Sequence, residues 1–146
     1  MRDLADLPGS FDAIVNLWQS FGYFDEATNT GILKQVHHKL NLGGRLILDL
    51  YHRDFFEQHQ GMRSFQQGDL AFTGRQSMTG DRLTVLLDYG PPYEGDTFDW
   101  QLYTPDEIRD VLERIGFVCA LVCADFDEKT LPSADKPRMQ IVCEKI

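Results

Sequence analysis

No stretch of this sequence approaches the roughly 18 consecutive apolar residues that a membrane-spanning helix requires. Nor can its start serve as a secretory signal, because Arg2, Asp3 and Asp6 fall where an apolar core would be needed. A cytosolic location with no membrane partner is the default expectation. Basic residues are scarce as well: 14 against 23 acidic ones give a net charge of −9. A sheath of phosphates would be repelled, so nucleic acid is not an expected partner. Cysteine is limited to three residues. Cys119 and Cys123 lie four apart in an expected strand, which sets their α-carbons about 13 Å apart, beyond the roughly 7 Å that a disulfide spans. Together with Cys143 they read as reduced core thiols.

Other absences narrow the chemistry. The four histidines show no ligand spacing, and His37 and His38, adjacent on a helix, point about 100° apart and cannot share a metal. No metal is expected. No serine or cysteine stands in a nucleophile elbow. The pair Gly43-Gly44 is followed by no helix and so reads as a helix stop, not a phosphate loop. Internal repeats and low-complexity segments are also missing.

What remains is a chain of 146 residues, 42% hydrophobic and 25% charged, the profile of a single domain with a buried core. Residues 11–18, centred on Ile14 and Val15, read as a strand covered on both faces. The string "DEATNTGILKQVHHKL" places Ile32, Leu33, Val36 and Leu40 on one helical face and ends at "NLGG". "RLILDL" follows as a continuously apolar strand, so strand, helix and strand form a βαβ unit with a parallel pair. The middle of the chain changes character. "LAFTGRQSM" and "RLTVLLDY" flank a "TGD" turn, and "DTFDWQLY" alternates with Phe98, Trp100 and Leu102 on one side, which makes residues 60–103 an antiparallel insert of three strands. "TPDEIRDVLERIGF" opens a second helix with Thr104 as N-cap, Pro105 at its first position and Glu107 closing a capping box; Gly116 ends it. Two strands, "FVCALVCADF" and "MQIVCEKI", complete the order, separated by the loop "DEKTLPSADKP".

Five strings in this order, "MRDLADLPGSFDAIVNLWQSFGYF", "LNLGGRLILDL", "YHRDFF", "LYTPDEIRDVLERIGF" and "RMQIVCEKI", resemble the C-terminal portion of a class I S-adenosylmethionine-dependent methyltransferase over essentially the whole chain. The resemblance implies an α/β fold: a partial Rossmann-like domain over residues 1–146, with a four-stranded mixed sheet, two main helices and the three-stranded antiparallel insert. In that family a glycine-rich loop after the first strand and an acidic residue ending the second hold the cofactor. Neither stands before Phe11 here, so "FDAIVNLW" matches the family's fourth strand.

The resemblance further implies S-adenosylmethionine as cofactor and methyl transfer to a small-molecule acceptor. Asn16, Leu17 and Trp18 match the strand end beneath the methionine part of the cofactor, the switch-point position of an α/β sheet. Met1 and Arg2 match a segment passing the adenine. Trp18 or Phe21 would wall the sulfonium, whose charge suits an aromatic face; the alternative is that Trp18, Phe21, Tyr23 and Phe24 plug a loop into the core. Phe21, Tyr23, His52, Arg53, Tyr103 and Arg138 are the acceptor-side candidates. Against this, His52 and Arg53 read more readily as solvated loop residues, Tyr103 equally as a staple on the following helix, and Arg138 more readily as a plain surface residue. Asp49, Asp54, Asp125 and Asp127 read as solvated strand ends rather than as a general base, and no catalytic base is assigned. Binding of the cofactor by this chain alone is expected to be weak or absent. Three standings accommodate that: a mis-started enzyme, a split enzyme completed by another chain, or a non-catalytic module that dimerises or binds a partner. In each, strand 11–18 is an edge open to a second copy or to a complementing chain.

Overall fold

The computed structural model describes residues 3–4 and 6–146. Four strands form one mixed sheet: β1 (Phe11–Asn16), β2 (Leu40–Tyr51), β7 (Phe117–Cys123) and β8 (Arg138–Lys145), in the order β1-β2-β8-β7. β1 runs parallel to β2, whereas β8 is antiparallel to both β2 and β7. The parallel pair needs a crossover, and α1 (Glu26–Lys39) supplies it. Asp25 caps α1 by accepting from the Thr28 amide at 2.8 Å.

Alternation along β2 divides the sheet into two unlike faces. Leu46, Leu48 and Leu50, opposite Cys143, Ile141 and Met139 of β8, face α1 and α3 (Pro105–Ile115) and are almost wholly buried. The opposite face carries Ile47, Asp49 and Tyr51 against Val142, Gln140 and Arg138. No helix among the described residues packs there, and Val15 and Val118 remain 51% and 46% exposed.

β2 starts directly at Leu40, where the sequence suggested a helix stop at "NLGG". Pairing skips from Phe11↔Leu40 to Ala13↔Arg45, so residues 41–44 are thrown out of register, and Gly43 takes φ +74° at the turn. The capping box of α3 forms in full: Thr104 Oγ1 accepts from the Glu107 amide, and Glu107 accepts from the Thr104 amide at 2.9 Å. Gly116 closes the helix in the left-handed conformation.

The insert has four strands rather than three: β3 (Gly61–Gln67), β4 (Leu70–Thr79), β5 (Arg82–Asp88) and β6 (Asp96–Gln101), in sequential antiparallel order. β3 is exposed along its entire length, so it shows none of the alternation that marks a half-buried strand. A short helix, α2 (Arg53–Gln58), precedes it. Leu83, Trp100 and Leu102 of the insert bury against Phe56, with Tyr51 packed on the same cluster, and so join the insert to the end of β2.

Candidate active site at the carboxyl end of β1

The segment leaving β1 is a strained loop tied down from below. Trp18 and Gln19 both occupy left-handed backbone conformations, with φ of 59° and 54°, which cost non-glycine residues about 1–2 kcal/mol each. Asp49 holds both. Its carboxylate accepts from the Trp18 amide at 3.1 Å and its carbonyl from the Gln19 amide at 3.2 Å. The Gln19 side chain is buried beneath the loop, donating to the Phe21 carbonyl at 2.8 Å and accepting from the Tyr51 amide.

Asp49 is itself buried, 1% exposed, which corrects the expectation of a solvated strand end. Burial raises a carboxyl pKa, but here the hydrogen bonds of Arg138, Gln140 and the Trp18 amide outweigh it and hold Asp49 below the ordinary carboxylate value. Arg138 Nε donates to Oδ1 at 3.0 Å and Gln140 Nε2 donates to the same oxygen at 2.8 Å. The Arg138 guanidinium lies 4.9 Å from the Trp18 ring and 5.5 Å from the Tyr51 ring. It is therefore committed to an internal ion pair between two rings, rather than standing as a plain surface residue.

Trp18 is 79% exposed, so it does not plug the core as one of the two expectations for this loop had it. Phe21 does: it is 3% exposed and stacks on Tyr103 with centroids 6.0 Å apart. Tyr23 lies between these extremes, partly exposed and 5.5 Å from Trp100 of the insert. Asn16, at the last position of β1, buries its Oδ1 with no hydrogen-bond partner among the described residues. Leu17 is 39% exposed beside it. Met1 and Arg2 lie outside the described residues.

The remaining candidates gather elsewhere. Tyr103 is buried, and its hydroxyl donates to Gln101 Oε1 at 2.9 Å; burial raises its pKa. The same oxygen accepts from Asn29 Nδ2 at 2.9 Å, while Gln101 Nε2 donates to Asp81 at 2.8 Å. His52 is only 2% exposed, with Nδ1 unpartnered and its pKa lowered by burial. Arg53 pairs with Glu107 at 2.8 Å and lies 3.4 Å from Glu57. Neither is the solvated loop residue that the sequence allowed: α2 begins at once after β2, His52 bridges to Tyr103, and Arg53 is held on α3 by Glu107. Arg53 and Tyr103 border a polar cavity of about 190 Å³ lined also by Glu26, Asp81 and Glu107.

The structure thus brings Asn16, Leu17, Trp18 and Arg138 to one place, and Phe21, Tyr103 and Arg53 to another. Gln19 and Gln140, which bond the first group, and Asn29 and Gln101, which bond the second, carry no sequence signal beyond being polar residues. Among the described residues no three His, Cys, Asp or Glu side chains converge as metal ligands.

At the sequence level no family model and no curated protein matches the chain. Solved structures do match. An S-adenosylmethionine-dependent methyltransferase from Clostridium acetobutylicum superposes with a TM-score of 0.83 at 14% identity, covering 96% of this chain and 60% of its own. A methyltransferase from Streptomyces caelestis gives 0.77 at 12% identity, with coverages of 94% and 62%. An amino pentose methyltransferase from Micromonospora echinaspora, involved in calicheamicin biosynthesis and solved with S-adenosylmethionine bound, gives 0.68 at 15% identity, with coverages of 97% and 61%. The chain therefore has the fold of about three fifths of an S-adenosylmethionine-dependent methyltransferase.

Proposed function

We propose that this chain forms the methionine-binding and acceptor side of an S-adenosylmethionine-dependent methyltransferase acting on a small molecule. The observation that carries the proposal is the loop after β1: a strained, anchored backbone that leaves the Trp18 ring exposed above the sheet. The residues present fit the methionyl half of the cofactor. Asn16 Oδ1 is an unused acceptor at the strand end, suited to an ammonium group, and Trp18 offers an aromatic face to a sulfonium. The cofactor, when bound, supplies an electrophilic methyl group. The chain's own part is to orient and to exclude water, which needs few obligatory side chains in an in-line displacement. Asp49 and Arg138 fix the loop, Phe21 seals its underside, and Tyr23 of the loop packs on Trp100 of the insert as an aromatic wall on the acceptor side.

Among the described residues no strand precedes β1, so the grip on ribose and adenine has to come from outside the part of the fold seen here. Affinity of the 146-residue chain for S-adenosylmethionine is accordingly weaker than micromolar. Ultraviolet crosslinking with methyl-labelled S-adenosylmethionine at millimolar concentration tests the placement directly. Label in the peptide spanning residues 16–24 supports it; label confined to other peptides, or none, removes it.

The same edge supports a partner. β1 has β2 on one side and no strand on the other among the described residues, and an apolar groove of about 310 Å³ opens beside it, lined by Leu7, Ile14, Phe21, Ile32 and Val36. We propose that a second copy or a complementing chain closes this edge.

A further inference from the structure

The three cysteines do not form one equivalent set of core thiols. A bulge between Cys119 and Leu121 shifts the register of β7 against β8, so Cys119 lies directly opposite Cys143, while Cys123 lies opposite Gln140 on the other face of the sheet. Both side chains face the helix side of the sheet, where Cys143 belongs to the buried core and Cys119 packs against it. Directly opposed residues of an antiparallel pair have α-carbons about 4.5–5.5 Å apart, inside the roughly 4.4–6.8 Å window of a disulfide. Spacing along the sequence excludes a bond between Cys119 and Cys123 but says nothing about this cross-strand pair, which is 24 residues apart and visible only in the register.

From this geometry we propose that Cys119 and Cys143 form a thiol–disulfide exchange site whose oxidant is a low-molecular-weight disulfide such as glutathione disulfide. Cys119 is the attacking thiol, because it is partly exposed whereas Cys143 is 1% exposed. The neighbouring Cys143 thiol lowers the pKa of Cys119, against the opposing effects of burial and of Glu113 on α3; Arg109 on the same helix assists. The Cys119 thiol and burial together make the proton of Cys143 harder to remove. In the first step the Cys119 thiolate attacks one sulfur of glutathione disulfide, the S–S bond breaks, and one glutathione thiolate leaves. In the second, the Cys143 thiolate attacks Cys119 Sγ and expels the other. The two protein thiols are oxidised, the glutathione disulfide is reduced to two glutathione molecules, and the two thiol protons pass to them. Cys123 takes no part: it is 4% exposed, its thiol sits near Gln140 Oε1 at 4.0 Å, and burial raises its pKa.

The test is a titration of the folded chain with glutathione disulfide, acid quenching, alkylation after unfolding, and peptide mapping. The expected result is that alkylatable thiols fall from three to one, with Cys119 and Cys143 joined in one crosslinked peptide and Cys123 alkylated. In a Cys143→Ser variant a stable glutathione adduct on Cys119 replaces the crosslink. Three thiols that stay alkylatable at millimolar glutathione disulfide, a wild-type chain that halts at the Cys119 adduct, or a crosslink involving Cys123 would each overturn the proposal. The wild-type map needs no variant, so misfolding of Cys143→Ser does not blunt it.

Discussion

Arg138 and Asp49, 89 residues apart, meet in a two-point ion pair on the uncovered face of the sheet, where the carboxylate also holds the backbone of the loop after β1. Removing one partner of such a buried pair strands the other. Arg138→Met should cost about 3–5 kcal/mol, and adding Asp49→Asn should recover part of that loss. The pH dependence follows from the depressed pKa of Asp49. Its contribution is full above the ordinary carboxylate value and is lost as pH falls through the lower, folded-state value. Thermal melts between about pH 5 and pH 2 should therefore fall less steeply in Asp49→Asn than in the parent. Equal slopes would show that Asp49 is not the group responsible.

Trp18 is the converse case. Its ring is largely in solvent and its packing partner is the guanidinium of Arg138, so Trp18→Ala should change stability by no more than about 1 kcal/mol, the scale of an exposed cation–π contact. Crosslinking to S-adenosylmethionine should nonetheless disappear. A variant that labels as well as the parent would place the sulfonium elsewhere.

Gly22 allows no substitute. Its φ is +98°, and a Cβ there would lie 2.4 Å from the Gln101 carbonyl oxygen, while its own carbonyl accepts from the Gln101 amide at 2.7 Å. Gly22→Ala should destabilise the chain by about 1–3 kcal/mol, whereas Gly9→Ala, also at positive φ but with open space around it, should cost less. Urea midpoints of the two variants decide this.

Association through β1 predicts concentration-dependent sedimentation of the purified chain. Val15→Lys, on the helix-free face and 51% exposed, should shift it toward monomer. A chain that is monomeric at high micromolar concentration would end the second-copy version of the proposal.

How much of this was legible in the sequence depended on the range of the interaction. The βαβ unit, the α3 capping box and the Phe98, Trp100 and Leu102 row are written in local spacing, and the structure has them as read. β3 escaped because "GMRSFQQ" lies on the surface, where no burial imposes alternation. The two-residue pattern that would have marked Asp49 as buried does not exist, since a lone acid in "RLILDL" looks the same whether its partner is water or an arginine from the last strand. The Cys119–Cys143 pairing was hidden for the same reason, because a one-residue bulge decides which cysteine faces which.

The loop between β1 and α1 is fastened at both ends of its course. At the near end Asp49 holds the Trp18 and Gln19 amides; at the far end Gly22 takes the amide of Gln101, and Arg82 of β5 donates to the Phe24 carbonyl at 3.0 Å. The insert cannot swing independently of the loop: a displacement of β6 at Gln101 draws Gly22 with it, and Ser20 and Phe21, the two residues between the anchors, are themselves hydrogen-bonded to Leu17 and Gln19. Load applied to the insert is thus delivered through main-chain bonds to the backbone beneath Trp18, and the two regions act as one mechanical part.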